Sequence, residues 1–131
     1  MTTQSMTIVV AYIQPFQLEP LADALRALPG FPGMTISDAR GFGGARGHVP
    51  KPGEPGEVDP FRDTVRIEIV CASDVSSDIA DAVCRAAHTG RAGDGLLFTA
   101  PVASSVRIRD ERFGRRDGAG SESDAEKQSG G

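Results

Sequence analysis

The chain has 131 residues, 24% of them charged, and a formal net charge of −4 at pH 7. This length suits one domain around one core. The charge pattern shows no basic face, and one Tyr with no Trp offers little surface for base stacking, so we expect no nucleic-acid partner. No apolar run reaches the ~18 residues of a membrane span, and the N-terminus lacks a signal-peptide pattern. We therefore expect a cytoplasmic protein without direct membrane insertion.

Patterns along the first half of the chain predict a strand, a helix and a second strand. Residues 7–13 are apolar and β-branched and end just before Pro15, as in a buried strand. Four leucines between residues 18 and 28 recur at helical spacing, and Pro29-Gly30 would close this helix. The second strand is predicted over residues 34–42.

A long loop separates the two halves of the pattern. Residues 41–60 contain six Gly and four Pro, a composition that favours neither a helix nor a sheet ladder. An alternating strand at residues 65–70 follows, then a helix with Ser73 or Asp74 as its N-cap. Strands are then predicted at residues 96–99 and 105–109.

This order of elements predicts an α+β fold of the ferredoxin-like βαββαβ type, with an antiparallel sheet and both helices on one face. Residues 1–109 would form this domain. Residues 110–131 are rich in Gly, Ser and charge, bury too little to offset the entropy of ordering them, and are expected to be a disordered acidic tail. Since no further element would cover the second sheet face, we expect the chain to oligomerise through the sheet.

Two glycine-rich segments suggest anion binding. Residues 41–48, Gly-Phe-Gly-Gly-Ala-Arg-Gly-His, would let a backbone approach phosphate oxygens, although a strand end running into a loop explains them as well. Their spacing misses the dinucleotide fingerprint. Residues 89–95, Thr-Gly-Arg-Ala-Gly-Asp-Gly, would form either an anion-binding nest or an ordinary helix-ending turn.

A third segment places two arginines two residues apart. If Arg107 and Arg109 lie in a strand, both guanidiniums face one side, while Val106 and Ile108 point into the core. Adjacent guanidiniums suit a diphosphate or triphosphate. A solvated polar face is the alternative.

Together these segments resemble the PII signal-transduction family over about residues 8–109. The resemblance lies in Gln14-Pro15-Phe16, Gly33-Met34-Thr35, Gly41-Phe42-Gly43, Gly47-His48, residues 66–70, residues 87–95 and Val106-Arg107-Ile108-Arg109. The Thr-Gly-Arg-Ala-Gly-Asp-Gly turn followed by Arg-Ile-Arg is its most specific part. The chain is identified as a divergent, PII-like member.

The resemblance implies a homotrimer that binds ATP or ADP in clefts between subunits. Adenine would meet the residues at 35 and 70, while the 93–95 backbone and the two arginines would hold phosphates. Loop 43–60 corresponds to the T-loop, through which the family contacts partners, here a transporter or a regulated enzyme. The nucleotide-binding positions would be Thr35, Gly41, Gly43, Gly44, Val70, Gly93, Asp94, Gly95, Arg107 and Arg109.

Several family positions are replaced. Leu96 and Gly44 stand where a phosphate-binding Lys and Arg are usual, and Thr64 stands for a Lys near the 2-oxoglutarate site. Ala45 replaces a Gln that supplies a magnesium ligand, so magnesium would bind weakly or not at all. We therefore expect ADP or AMP to bind at least as well as ATP, with little 2-oxoglutarate synergy.

The loop departs as well. Glu57 occupies the position of the Tyr that many relatives modify by uridylylation, which excludes that reaction there. Gly53 replaces the Arg that plugs ammonium channels. The loop is therefore expected to have a different target.

Other classes fit less well. No nucleophile, base and orienter occur together, so we expect a regulator and not an enzyme. A sensor of bicarbonate or another small anion would use the same cleft. A metal-binding ferredoxin-like trimer would need grouped Cys or His, but Cys71 and Cys84 are predicted to be buried, reduced thiols, which leaves His48 as the plausible surface ligand.

Overall fold

The computed structural model describes residues 4–42, 60–91 and 93–110. Residues 43–59 of the predicted loop and residues 111–131 of the predicted tail lie outside these ranges. The predictions made for Gly43, Gly44, Ala45, His48, Gly53 and Glu57 therefore also lie outside the described residues. The described strands are β1 (Met6–Ile13), β2 (Thr35–Gly41), β3 (Arg62–Ala72) and β4 (Leu96–Val102). The helices are α1 (Leu18–Arg26) and α2 (Ser73–Ala87), with short 3-10 turns at Pro15–Gln17 and Ile108–Asp110.

The four strands form one antiparallel sheet in the order β2-β3-β1-β4. β1 lies inside the sheet, paired with β3 on one side and β4 on the other, as its almost wholly apolar sequence favours. The ferredoxin-like α+β fold predicted from the sequence is confirmed.

Both helices pack on one face of this sheet and form the core with it. The period of two along β1 turns Val9, Ala11 and Ile13 towards the helices. Leu21 and Leu25, four residues apart on α1, are fully buried against them. Burying each leucine contributes about 1.5–3 kcal/mol.

The opposite face of the sheet is uncovered by the described residues. Three large apolar side chains there, Val70, Leu96 and Phe98, are between 41% and 59% exposed. A polar chain crosses the same face: the Arg66 Nε donates to Glu68 Oε2 at 2.7 Å, and its guanidinium also donates to the Tyr12 hydroxyl. One face is therefore left open, as the order of elements predicts.

The prediction of a last strand at residues 105–109 is wrong. Residues 103–107 have no regular structure, and Ile108–Asp110 is a 3-10 turn in which the Asp110 N–H donates to the Arg107 carbonyl at 2.8 Å. Ile108 is 91% exposed and Val106 37%, so neither points into the core. Alternating residues predict a strand only where a neighbouring strand supplies hydrogen bonds, and this segment pairs with none of the described strands.

The predicted N-cap of α2 is also wrong. The helix begins at Ser73, and the cap residue is Ala72, whose side chain makes no capping bond. Contacts with β1 and with the residue before it hold the first turn instead: the Ser73 N–H donates to the Ser5 carbonyl at 2.9 Å, and the Ser73 and Thr7 hydroxyls lie 2.7 Å apart. Long-range packing thus replaces a local cap.

The two cysteines differ in environment, which corrects the prediction that both are buried. Cys71 on β3 is buried, and burial, followed by the nearby Asp74 carboxylate, raises the pKa of its thiol. Cys84 on α2 is exposed, although the neighbouring Val83 is buried in the core.

Thiol labelling should separate the two. A maleimide at neutral pH is expected to modify Cys84 quickly and Cys71 only on unfolding, because the thiolate is the reactive form and Cys71 is neither accessible nor easily ionised. Mass spectrometry of digested protein, with Cys84→Ser as the control, measures this. Equal labelling of both thiols in the folded protein would contradict it.

Candidate functional site

The glycine-rich turn of residues 89–95, with Ala92 outside the described residues, is built around the Asp94 carboxylate. This carboxylate accepts hydrogen bonds from the backbone N–H groups of Thr89 at 2.8 Å and Gly90 at 2.9 Å, and from the Thr89 hydroxyl. Those bonds, first of all the one from the Thr89 hydroxyl, hold the pKa of Asp94 below its ordinary value. Part of the predicted anion nest is therefore filled by the protein's own carboxylate.

The end of β1 holds this turn against the sheet. The Gln14 side-chain amide donates to the Gly93 carbonyl at 2.9 Å. Gly95 has a φ of 110°, and a Cβ there would overlap the backbone carbonyl of Tyr12. Only glycine combines this backbone conformation with so close an approach.

Thr64 occupies the position at which the family resemblance implies a lysine. Its side chain is 8% exposed, and its hydroxyl donates to the Ile13 carbonyl at 2.9 Å. The group points into the domain and supports the end of β1, so it offers no donor to a ligand on the surface.

Within one chain, the predicted nucleotide-binding residues fall into separate groups. Thr35 pairs with Glu68, two residues from Val70, so the two adenine-site candidates are neighbours on one face. Gly41 lies six residues further along β2 than Thr35, about 20 Å away. It pairs with Arg62, which is three residues before the Val65 that pairs with Ile13 at the end of β1. Gly41 therefore lies past the end of β1, where the glycine-rich turn contacts the sheet. A single chain does not bring these groups into one compact pocket.

The two arginines form a third group. Arg107 and Arg109 are exposed, and neither guanidinium has a hydrogen bond or an ion pair with another described residue. They do not share one strand face, as predicted, because the segment forms no strand. Both positive charges remain available to an anion.

An aromatic pair at the base of the long loop was missed by sequence reasoning. Phe42 and Phe61 stack with ring centroids 5.3 Å apart, and the Arg40 guanidinium lies 5.2 Å from the Phe61 centroid. The sequence does show a phenylalanine on each side of the loop. The strand register that pairs Gly41 with Arg62 and brings the two rings together cannot be predicted from the sequence. The two rings therefore pack together next to the Gly41–Arg62 pair, where β2 ends and β3 begins.

A cleft of about 180 Å³ lies between the end of α2, the end of β1 and the start of β4. Its lining includes Val83, Cys84, His88, Asp94 and Leu97. Sequence reasoning did not find it. In the described ranges, no group of three or more His, Cys, Asp or Glu is placed to hold a metal ion, and no helix is long and apolar enough to cross a membrane.

The Asp94 bonds should make the turn sensitive to acid. The folded-state pKa of Asp94 is lowered, so in strong acid the unfolded state binds more protons, and the turn's stability rises with pH there. The stabilisation should therefore be complete above the ordinary Asp range, about pH 3.9, and lost as pH falls through the lowered value.

NMR exchange of the Thr89 and Gly90 amides between pH 2 and 7 measures this. The quantity compared is the protection factor, the intrinsic exchange rate at each pH divided by the observed rate. Asp94→Asn is the control, and its protection factors should not change with pH, because the Asn side chain does not titrate. If the Thr89 and Gly90 amides of the wild type were as well protected at pH 2 as at pH 7, the expectation would be contradicted.

Comparison with known proteins agrees with these features. Residues 6–112 match the family model "Nitrogen regulatory protein P-II". The chain is 38% identical over 104 residues to a nitrogen regulatory protein P-II of Bradyrhizobium diazoefficiens and 35% identical over 104 residues to the nitrogen regulatory protein GlnK of Escherichia coli, in each case covering 79% of this chain and 92% of the relative. Among solved structures, PII of Arabidopsis thaliana bound to citrate is similar, with a TM-score of 0.66 and 28% identity over 86% of this chain and 88% of that one. The chain belongs to the nitrogen regulatory protein P-II family.

Proposed function

We propose that this PII-family regulator binds an adenine nucleotide between the subunits of a homotrimer and controls a partner protein through loop 43–60. The observation that carries the proposal is that the candidate nucleotide-binding residues of one chain lie in separate groups on its surface. Thr35 with Val70, the glycine-rich turn, and the two arginines lie apart, and each is accessible. Juxtaposing two chains is the simplest way to complete a cleft from such partial sites.

The uncovered sheet face supports the oligomer. Exposed Val70, Leu96 and Phe98 form an apolar surface that a second copy would cover. Native mass spectrometry is expected to give three times the 13.7 kDa chain mass. A purely monomeric mass at micromolar concentration would contradict the trimer, and Phe98→Asp should shift the mass towards monomer.

The replaced side chains support a preference for short phosphate chains. Leu96 and Gly44 provide no cation for a phosphate, and the Thr64 hydroxyl donates to the Ile13 carbonyl, so it offers no donor to 2-oxoglutarate. Charge-assisted hydrogen bonds are worth about 1.5–3 kcal/mol each, so losing two removes the advantage that ATP gains from its terminal phosphate. The Arg107 and Arg109 guanidiniums still serve a diphosphate.

Isothermal titration with ATP, ADP and AMP, each with and without magnesium and 2-oxoglutarate, tests this function. ADP or AMP is expected to bind at least as tightly as ATP, with little change on adding magnesium or 2-oxoglutarate. Tightest binding of ATP in the presence of both would overturn the preference. The absence of binding by every adenine nucleotide would overturn the proposed ligand.

A small polyanion is the second candidate ligand. The Arabidopsis relative was solved with citrate bound, and Arg107 with Arg109 offers two free guanidiniums to such an anion here. Titration of citrate, of bicarbonate and of ADP separates the two readings: an anion sensor in this cleft predicts that citrate or bicarbonate binds more tightly than ADP, and a nucleotide sensor predicts the reverse.

We also propose that the protein acts in the cytoplasm on a transporter or a regulated enzyme and catalyses nothing itself. Affinity capture of tagged protein with intact loop, run in ATP and in ADP, tests the regulatory part. A partner retained in only one nucleotide state supports it, because control requires different affinities in the two states. Partners that are equally retained in both would contradict nucleotide control.

A further inference from the structure

Gln14 makes a long-range contact that the proposed ligand contacts do not include. It follows β1 directly and precedes the Pro15–Gln17 turn. Its half-buried side chain reaches across 79 residues of sequence to donate from Nε2 to the Gly93 carbonyl at 2.9 Å, and Nε2 also lies 3.5 Å from Asp94 Oδ1. Gln14 therefore ties the glycine-rich turn to the central strand.

The contact acts on the placement of the turn and not on its shape. The bonds from Thr89 and Gly90 to the Asp94 carboxylate are local, within five residues, and set the shape. Gln14 and the close approach of Gly95 to Tyr12 connect that shape to the end of β1. The end of β1 is itself held by the buried bond from the Thr64 hydroxyl to Ile13, so the turn is attached to a rigid part of the sheet.

Because a peptide unit is planar, a hydrogen bond that holds its carbonyl also sets the direction of its N–H, which a ligand can accept. Gly93 C=O and Asp94 N–H belong to one trans peptide, in which the two groups point in opposite directions. When Gln14 holds the carbonyl on its own side, the Asp94 N–H is directed to the other side of the turn. Rotation of this unit would withdraw the N–H from a bound anion.

We infer that Gln14 is a positioning residue, which orients the Asp94 N–H towards the phosphate of a bound adenine nucleotide. This inference rests on the proposed function. It assigns to Gln14 no contact with the nucleotide itself, and it requires only that residue 14 can donate a hydrogen bond.

Matched substitutions test the donor. Gln14→Glu keeps the shape of the side chain but removes the donor and places a carboxylate opposite the Gly93 carbonyl and Asp94. Gln14→Lys retains a donor. Gln17→Glu makes the same chemical change three residues away and controls for added negative charge, because the Gln17 side chain has no hydrogen bond to another described residue.

Isothermal titration with ADP and with adenosine gives the readout. Gln14→Glu is expected to weaken ADP binding about tenfold, the size of one lost hydrogen bond, and to leave adenosine affinity unchanged. Gln14→Lys and Gln17→Glu should bind ADP like the wild type. This rescue, and an effect confined to the phosphate-bearing ligand, would not arise from a general loss of stability.

Several outcomes would overturn the inference. ADP affinity that is unchanged in Gln14→Glu, equally reduced in Gln14→Lys, or reduced together with adenosine affinity each contradicts it. A wild-type protein that binds no adenine nucleotide overturns the proposed function instead. In that case hydrogen exchange of residues 88–95 in the ligand-free variants decides the structural half: faster exchange in Gln14→Glu than in Gln14→Lys supports it, and equal exchange refutes it.

Discussion

Gly95→Ala is expected to lower the free energy of unfolding by about 2–6 kcal/mol, the sum of strain at a positive φ and forced overpacking. The φ of Gly95 is 110°, which an L-residue rarely adopts. The added methyl would also overlap the backbone carbonyl of Tyr12, which lies near the end of β1 where that strand pairs with both β3 and β4. Because Tyr12 is held in both ladders of β1 and Gly95 directly precedes β4, the backbone cannot move apart here without disturbing ladder hydrogen bonds, and the overlap is costly to relax.

Gly33→Ala is a matched control for this change. Gly33 has a similar φ of 118°, but nothing lies within 4 Å of the position its Cβ would take. It should therefore cost only the strain, about 1–3 kcal/mol. Denaturant titration of both variants at one protein concentration measures the difference, and equal losses would show that the close approach to Tyr12 has no energetic weight.

Replacing Arg107 or Arg109 by Ala should weaken ADP binding roughly 10- to 150-fold, since a hydrogen bond to a charged group contributes about 1.5–3 kcal/mol. Neither guanidinium is committed to another described residue, and Ile108 between them is 91% exposed. The free energy of unfolding should therefore change little. This combination, a large binding effect without a stability effect, identifies a ligand contact.

Arg26→Ala provides the charge control. It removes one positive charge from α1 and an exposed ion pair with Asp23 at 3.0 Å, which is worth little. ADP affinity in Arg26→Ala should match the wild type, as measured by titration calorimetry. If all three variants weakened binding alike, the arginines would act only through net charge.

Elements supported by local pattern were predictable. The leucines of α1 recur at helical spacing, and the β-branched apolar run of β1 is typical of a buried strand. The structure contains both elements near their predicted bounds. The 105–109 strand failed for the opposite reason: its alternating residues satisfy the local rule, but a strand also needs a neighbour, and that information is not local. The N-cap of α2 failed similarly, because Ser73 uses its hydroxyl on Thr7 of β1.

In the candidate site, too, the residues with a local sequence pattern were predictable, and the contacts that depend on long-range folding were not. The glycines and Asp94 of the turn are conspicuous in the sequence, but the use of the carboxylate to close the turn depends on its folded geometry. The bond from Gln14 to Gly93 joins residues 79 apart and has no local signature. The Phe42–Phe61 pair likewise forms only through the register of β2 and β3.

The inward-facing Thr64 makes a lysine at this position hard to accommodate. Such a substitution would place a long cationic side chain in an 8% exposed site and leave the Ile13 carbonyl without its present donor. A lineage carrying Thr64 would need compensating changes around the end of β1 before a lysine became tolerable. The same barrier faces an engineer who would graft 2-oxoglutarate sensing onto this scaffold by single substitution.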